Sequence, residues 1–374
     1  MMTSPESGSY ASGPLSGLRV LDLSWLLPGP LCTGILADLG ADVIKIERPS
    51  DGDYARTMLP GLFQLVNRGK RSAVVDLRTP QGRETVLKLA ERADVFVEGF
   101  RPGVMARLGV GYEHIRARHQ GIVYVSLSGY GQTGPAANEP GHDVNYCGRA
   151  GLMAIPVSVT QADEPSRMQL PVSDIAGAMY AAVSTLAALR ERDRTGEGQW
   201  LDVSLAEAAL AWSGLRWADA PADAAGQWRH VRPMNDIFTA ADGVRLAVAL
   251  VETHFWHKFI NELPAPEREH LQAAGETPRA CHAALQAIFA ARPSAQWLDF
   301  AKTHDLPISR IAASLEDIVS DPHFSARGAW LPAENGQRPM PAFPVRVRGA
   351  PRHGKAPEFG EATEMLGQLW GVSL

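Results

Sequence analysis

Strand-like and helix-like segments alternate through the first third of the chain, and this alternation restricts the fold more than any other feature of the sequence. Runs rich in β-branched and aliphatic residues predict strands at 18–23, 42–47, 73–77, 94–98 and 121–126. Segments with helical patterning predict helices at 28–40 and 80–92. Strands that alternate with helices form a mostly parallel sheet with helices on both faces. The sequence therefore predicts an α/β protein with a doubly wound large domain.

The remaining segments predict a second domain. At 374 residues the chain is longer than one hydrophobic core usually supports, since single cores stop growing near roughly 250–300 residues. Residues 1–14 predict a disordered lead, and 218–234 predict a linker. Short amphipathic helices with few buried-strand runs predict a smaller α+β domain at 235–319. The tail predicts one strand at 343–347 and a final helix.

Charge and cysteine content restrict the class of partner. The net charge is −5, from 36 basic and 41 acidic residues, so no general basic field exists to hold nucleic acid. Cys32, Cys147 and Cys281 are far apart without CxxC spacing, which argues against a disulfide framework and a zinc site. No basic leader precedes an apolar core, and no apolar run approaches about 20 residues. These observations predict a cytoplasmic protein without a membrane partner.

A histidine and an aspartate stand side by side in PGHDVNYCGR, residues 140–149. A loop rich in glycine, proline and serine, 128–140, separates this segment from the strand at 121–126. His142 and Asp143 therefore lie where a helix follows a buried strand, the usual place for chemistry in an α/β protein. A histidine titrates near neutrality and can transfer protons. The alternative is that Asp143 caps the helix and His142 is a polar neighbour.

Arginines near strand ends suggest an anion site. Arg48, Arg71, Arg101 and Arg107 lie at predicted strand ends or just after them, where α/β sheets collect ligands and where arginine can bind phosphate. Each could equally be a solvated surface charge. The dinucleotide fingerprint fails, because Leu31 occupies its middle glycine position, so a nicotinamide dehydrogenase is not expected.

Two carboxylates outside this segment have ordinary explanations when taken alone. Asp174 stands at a predicted helix start, where an aspartate acts as a cap or dipole partner. Glu252 follows the strand-like segment at 245–251 and could cap the next helix.

Five ordered segments together resemble the family III coenzyme A transferases, a family that also contains the α-methylacyl-CoA racemases. The segments are GLRVLDLSWLLPGPLCTGILADLGADVIKIERPSDGD (17–53), NRGKRSAVVDL (67–77), ADVFVEGFRPGVMARLGVGYEHI (93–115), SLSGYGQTGP (126–135) and RTGEGQWLDVSLAEA (194–208). The resemblance covers residues 13–217 and continues weakly to the tail. It implies a Rossmann-like large domain, 15–217, completed by 320–374. It also implies that the small domain is inserted late and that two subunits interlock as a homodimer.

Within this family, GHDVNY at 141–146 resembles the racemase branch, whereas GRAGLM at 148–153 is nearer the transferase style. The racemase resemblance implies proton transfer on 2-methyl-branched acyl-CoA thioesters by His142, supported by Glu252, and by Asp174 from the opposite face. The backbone N–H of Asp143 would then stabilise the enolate oxygen. The transferase resemblance implies instead that the Asp143 carboxylate forms a mixed anhydride with the acyl group. A non-catalytic acyl-CoA binder is the third alternative.

In both enzyme branches the acyl-CoA is the substrate, and no prosthetic group or metal is expected. The resemblance implies that Arg48, Arg101 and Arg107 hold the nucleotide end of CoA, with Lys70, Arg71 and Tyr146 as further contacts.

Overall fold

The computed structural model describes residues 13–160, 168–220, 228–275, 277–332, 338–351 and 354–372. The predicted disordered lead therefore lies almost wholly outside the described residues, as does the middle of the predicted linker. The strands are β1 Arg19–Leu23, β2 Asp42–Glu47, β3 Arg71–Val74, β4 Val95–Glu98, β5 Val123–Ser128, β6 Trp200–Ser204, β7 Asn235–Thr239, β8 Arg245–Ala249, β9 Ile308–Arg310, β10 Trp330–Leu331 and β11 Met340–Pro341.

The helices follow the same chain order. They are α1 Pro28–Asp38, α2 Ala55–Met58, α3 Pro60–Asn67, α4 Pro80–Ala90, α5 Val104–Arg107, α6 Tyr112–Arg116, α7 Asp143–Arg149, α8 Val172–Thr195, α9 Leu205–Trp217, α10 Thr253–Glu262, α11 Ala265–Ala273, α12 Pro278–Ala290, α13 Ser294–Thr303, α14 Leu315–Val319, α15 Pro322–Ala326 and α16 Leu366–Leu369. A short 3₁₀ turn occupies Leu152–Ala154.

Six parallel strands form one sheet in the order β3-β2-β1-β4-β5-β6. This is the Rossmann order, and the mixed α/β fold predicted from the alternating pattern is confirmed. The chain moves outward in one direction from β1 to β3 and then returns to the other side of β1 at β4. The carboxyl ends of β1 and β4 therefore border the crevice in which α/β sheets of this kind bind ligands.

Apolar side chains cover both faces of this sheet. One core joins Leu21, Ile44 and Phe96 of the sheet to α4 and to the C-terminal tail, which contributes Leu366 and Trp370. The tail also bonds to β3 directly, since the Ala362 N–H donates to the Ser72 carbonyl at 2.8 Å.

The opposite core packs α1 and α8 on the sheet through small residues. Helix α8 contributes Ala178, Ala181 and Ala182, which let the helix axis approach the strands closely. An 18-residue window of α8 has a mean hydropathy of 1.4, so length and composition alone would permit a membrane span. The prediction that no apolar run approaches this length is therefore corrected. Half of the window is buried inside the protein, and buried core helices have the same length and composition, so the window is weak support for a membrane span.

The chain divides into two compact units by internal contacts. Unit 1 comprises Met1–Ala150, Met168–Trp212 and Pro322–Leu374, and unit 2 comprises Gly151–Arg167 and Ser213–Asp321. Unit 2 contains the antiparallel sheet β7-β8-β9, and its core packs α10, α12 and α13 around Phe259, Phe289 and Trp297. The domain limits predicted from the sequence, 15–217 with 320–374 and 235–319, stay predictions.

The predicted strand at 343–347 is wrong. Its alternating residues suggested a strand, but Pro344 within it cannot donate a ladder hydrogen bond. In the tail, Met340–Pro341 pairs instead with Trp330–Leu331 as a two-residue ladder.

Candidate active site

A cavity of about 230 Å³ opens at the carboxyl ends of β1, β4 and β5. It therefore lies at the point where the strand order reverses, on unit 1 alone. Its lining includes Ser24, Trp25, Leu26, Gly99, Phe100, Arg101, Ser128, Gly129, Gly141, His142, Tyr146 and Asp174. Four residues predicted from the sequence as site residues, Arg101, His142, Tyr146 and Asp174, thus meet in one cavity.

The turn after β1 forms one wall of the cavity in a constrained conformation. Leu26 has a φ of 64°, in the left-handed region that a leucine rarely adopts. The Leu26 N–H donates to Asp53 Oδ1 at 3.0 Å, and the fully buried Lys45 pairs with Asp53 at 2.9 Å. Lys45 Nζ also donates to the Ser24 carbonyl at 2.7 Å. A buried ion pair therefore holds this wall in place.

His142 immediately precedes helix α7 and is exposed towards solvent. Its N–H donates to Asn145 Oδ1 at 3.0 Å, and the Tyr146 hydroxyl donates to the Gly141 carbonyl at 2.5 Å. The Tyr146 ring leaves no room for side chains on its neighbours, since an added Cβ would lie 2.5 Å from that ring at Gly129 and 2.6 Å at Gly141. Burial raises the pKa of Tyr146 to about 12, so this hydroxyl keeps its proton. The backbone on both sides of His142 is thereby fixed.

The Asp143 side chain is bonded to the start of helix α8. Its Oδ1 accepts the Ser173 N–H at 2.7 Å, the Ser173 hydroxyl at 2.6 Å and the Asp174 N–H at 3.4 Å. Asp143 therefore serves as a cap, as one sequence interpretation held, although for α8 rather than for its own helix. Its side chain is half-buried, and it does not belong to the cavity lining.

Asp174 lies in the first turn of α8 and reaches the cavity. Burial raises the pKa of its carboxyl to about 7, and the negative charge of Asp143 adds to the shift. Because this value is close to neutral pH, Asp174 can both accept and release a proton there. The place of Asp174 in the cavity lining and its raised pKa distinguish it from the simple cap that its position suggested.

A second cavity of about 270 Å³ adjoins the first along the sheet edge. It lies beyond the ends of β1, β2 and β3, and Trp25 and Phe100 line both cavities. Arg48 lines it, with its guanidinium 5.1 Å from the Trp25 ring centre and 4.2 Å from that of Tyr54. Sequence reasoning missed Trp25 and Phe100, and their positions directly after β1 and β4 were the available signal.

The predicted CoA-binding cations separate into two groups. Arg101 is exposed and lines the first cavity, Arg48 lines the second, and Arg107 is exposed on α5 outside both linings.

The prediction that Lys70 contacts CoA is wrong. The Lys70 side chain is fully buried, and its Nζ pairs with Asp22 at 3.0 Å and contacts three further oxygens. No donor of Lys70 is available to a phosphate in this arrangement.

Arg71 is corrected for a different reason. It is the first residue of β3 rather than the last, so it lies at the amino edge of the sheet, opposite the cavities. Its guanidinium pairs with Asp42, which opens β2. The sequence prediction had started this strand two residues later.

Glu252 precedes α10 in unit 2 and is exposed. Its pairing with His142 stays a prediction. Among the residues that the structure describes, no group of three or more histidine, cysteine, aspartate or glutamate side chains could hold a metal ion.

The sequence of the chain matches a known protein family. The sequence model of CoA-transferase family III matches residues 15–363. The chain belongs to this family. The resemblance of the five segments is therefore confirmed, and the family acts on CoA thioesters.

Relatives in this family have two different activities. An acetyl-CoA:oxalate CoA-transferase of Acetobacter aceti is 33% identical over 360 residues, which cover 90% of each chain. A human α-methylacyl-CoA racemase is 29% identical over 374 residues, covering 96% of this chain and 94% of the racemase. The solved structure of a CAIB/BAIF family protein from Brucella suis matches with a TM-score of 0.82 at 28% identity, covering 96% of this chain and 100% of that one.

Proposed function

We propose that the protein racemises or epimerises 2-methyl-branched acyl-CoA thioesters. One observation carries this proposal: His142 and Asp174 line the same cavity, whereas the Asp143 carboxylate is bonded to the start of α8. Racemisation needs two proton-transfer groups that reach one carbon atom. Acyl transfer needs a free carboxylate nucleophile instead.

The reaction requires that the bond between the α-carbon and its hydrogen breaks and re-forms on the opposite face. A base takes the proton, the bonding electron pair moves into the enolate double bond, and the carbonyl electrons move to the thioester oxygen. Protonation from the other face reverses these shifts and yields the other configuration. In our proposal His142 and Asp174 exchange the roles of base and acid between the two directions, and the pKa of Asp174, about 7, suits both roles.

The developing negative charge on the thioester oxygen needs a donor. The Asp143 N–H lies at the first position of α7, where a helical N–H has no helical acceptor and the helix dipole favours negative charge. Removal of one such donor costs roughly 3–4 kcal/mol in other enzymes. We therefore assign the backbone of Asp143, and not its carboxylate, to the reaction.

The CoA moiety needs an adjoining site for its nucleotide. The second cavity offers an apolar slot beside the Trp25 and Phe100 rings, which meet edge-on, with Arg48 in its lining, and Arg101 stands at the first cavity. An aromatic wall with cations at its rim suits an adenine ring and its phosphates. Arg107 and Tyr146 as CoA contacts, Glu252 as partner of His142, the interlocked homodimer and the cytoplasmic location are further parts of the proposal.

Family III CoA transfer is the second candidate, and the relatives favour it. The Acetobacter aceti relative is named as an acetyl-CoA:oxalate CoA-transferase, and a Haloarcula hispanica protein that is 35% identical over 343 residues is named as a succinyl-CoA:mesaconate CoA-transferase. For this activity Asp143 would have to leave Ser173 and attack the thioester carbonyl, releasing CoA thiolate and forming a mixed anhydride.

Incubation of the wild-type protein with one enantiomer of a 2-methylacyl-CoA in D₂O tests the choice. Racemisation incorporates deuterium at the α-carbon and produces the other enantiomer without any added acid, which mass spectrometry and chiral analysis of the released acid would show. CoA transfer produces neither change, but it moves CoA to an added carboxylate such as oxalate. Absence of deuterium uptake together with CoA transfer would replace our first candidate by the second.

A further inference from the structure

A buried carboxyl at the end of β4 takes no part in the proposed chemistry. Glu98 is the last residue of that strand, and only 4% of it is exposed. Its Oε2 accepts the Phe100 N–H at 2.7 Å, and the Ser126 hydroxyl on β5 donates to the same carboxylate. Ser126 Oγ in turn accepts the Trp200 ring N–H at 3.0 Å. The carboxyl is therefore fixed from the neighbouring strands on one side.

The turn that Glu98 holds separates the two cavities. Phe100 lines both, Arg101 lines the cavity that contains His142, and the Trp25 ring meets Phe100 edge-on at 5.2 Å. A hydrogen bond to the Phe100 N–H fixes the direction in which the chain leaves β4. The same bond therefore fixes the backbone from which the Phe100 ring and the Arg101 guanidinium extend.

We propose that Glu98 is a positioning residue for the thioester ligand, because its carboxylate holds the turn Gly99–Arg101 and thereby sets Phe100 and Arg101. The identity of the ligand as a CoA thioester rests on the proposed function, whereas the hydrogen bond by which Glu98 fixes the turn does not. Glu98 itself touches no reacting atom in this account.

The surroundings of Glu98 make this hold dependent on pH. Burial raises the pKa of Glu98 to about 7, bonds from Ser126 and Phe100 oppose the shift, and the charge of Asp202 on β6 adds to it. Strand β5 contributes Tyr124, and burial together with the charge of Glu98 raises the pKa of that tyrosine. Strand β1 contributes the apolar Leu23, which pairs with Glu98 in register. An ionised acceptor forms a stronger hydrogen bond than a neutral one. The hydrogen bond from the Phe100 N–H to Glu98 should therefore strengthen between pH 6 and pH 8.

Calorimetric titration with CoA at pH 6 and pH 8 tests the proposal on Glu98→Gln, which keeps the shape and one acceptor oxygen but removes the charge. We expect equal affinities of wild type and variant at pH 6, and about tenfold weaker binding by the variant at pH 8. The CoA phosphate also titrates in this range, but its contribution cancels in the ratio of the two proteins. A repeat in an Asp174→Asn background excludes titration of Asp174 as the cause. Equal affinities at both pH values would overturn the proposal.

Two further variants make the test independent of how well Glu98→Gln folds. Ser126→Ala keeps the carboxyl but removes a bond that lowers its pKa, so the pH at which affinity improves should move upward. Glu113→Gln removes an exposed glutamate on α6 and should behave as wild type. A Ser126→Ala profile that coincides with wild type would contradict the assigned role.

Hydrogen exchange of the Phe100 amide in the unliganded protein separates this inference from the proposed function. At pH 8 we expect faster exchange at Phe100 in Glu98→Gln than in wild type or Glu113→Gln. Unchanged protection would overturn the positioning role, even if CoA binds. Suppose that Glu98→Gln loses protection at Phe100 while the wild-type protein shows no affinity for CoA. That result would overturn the proposed function, but the role of Glu98 in fixing the turn would remain.

Discussion

The carboxylate of Asp143 lies at the start of the helix that carries Asp174, and its Oδ1 accepts the Asp174 N–H at 3.4 Å. The two acids therefore have different tasks although they are close together. Asp143 Oδ1 accepts hydrogen bonds from the Ser173 N–H and hydroxyl at the start of α8. Asp174 is half-buried in the cavity lining close to Asp143, and desolvation together with the Asp143 carboxylate raises its pKa to about 7.

Asp143→Asn should lower the pKa of Asp174, because it removes the second cause of the rise and leaves burial as the first. The change should appear as a downward shift in the limb that Asp174 contributes to the pH profile of kcat/KM for each enantiomer. Glu139→Gln, which removes an exposed charge at the cavity rim, is the matched control. An unmoved limb would show that Asp143 does not set the protonation of Asp174.

Asp174→Asn should stabilise the protein at pH 8 while it abolishes activity. The folded-state pKa of Asp174 lies above its ordinary 3.8, so the folded protein binds this proton more tightly than the unfolded chain does. This contribution to stability is complete below the unfolded pKa and is lost as the pH rises through about 7. The variant should therefore gain about 2 kcal/mol in free energy of unfolding at pH 8, and less at pH 5. Urea unfolding at both pH values measures this, and equal stability at pH 8 contradicts it.

Arg101→Ala should weaken binding of acyl-CoA without loss of stability, whereas Lys70→Met should lower the stability of the fold. Arg101 is exposed at the cavity, so its loss should raise KM for acyl-CoA about tenfold and leave the free energy of unfolding within about 0.5 kcal/mol of wild type. Lys70 is the buried partner of Asp22, so its loss should cost roughly 3–5 kcal/mol of stability by leaving that carboxylate unpaired.

The additional change Asp22→Asn should recover part of the loss in Lys70→Met, since it removes the unpaired charge. Calorimetry with CoA and urea unfolding, applied to the same set of variants, distinguish the two effects. A Lys70→Met protein of normal stability with weakened CoA binding would restore Lys70 as a ligand contact.

The predicted homodimer gives a further expectation. Helix α8 presents Met179, Tyr180 and Val183 to solvent in the single chain, although these are apolar or aromatic side chains. An interlocked dimer should bury far more than the ~1,600 Å² of a standard interface, and should then not separate before it unfolds. Sedimentation at decreasing concentration should show one dimeric species. A reversible monomer at micromolar concentration is incompatible with interlocking.

The sequence predicted the sheet well because buried parallel strands are local signals. Segments such as GIVYVS at 121–126 carry nearly continuous apolar and β-branched character, which identifies a buried strand without any knowledge of its neighbours. The strand at 343–347 failed because alternation alone does not supply a partner strand, and Pro344 removes a donor.

The site was predictable where it follows strand ends and not where it depends on distant contacts. Arg101 and His142 lie after strands, and the structure brings both to the cavity. Lys70 turns inward because Asp22, 48 positions away, lies beneath it, and no local pattern contains that contact. Asp174 has the position of a simple cap, and only burial distinguishes it from one.

Deuterium incorporation into a single enantiomer of a 2-methylacyl-CoA by Asp143→Asn and His142→Gln, measured beside wild type, tests the central claim most directly. His114→Gln, an exposed histidine on α6, is the control. We predict that Asp143→Asn retains measurable exchange, because its backbone N–H remains, and that His142→Gln loses exchange from one enantiomer far more than from the other. Exchange that disappears in Asp143→Asn and persists for both enantiomers in His142→Gln would contradict it.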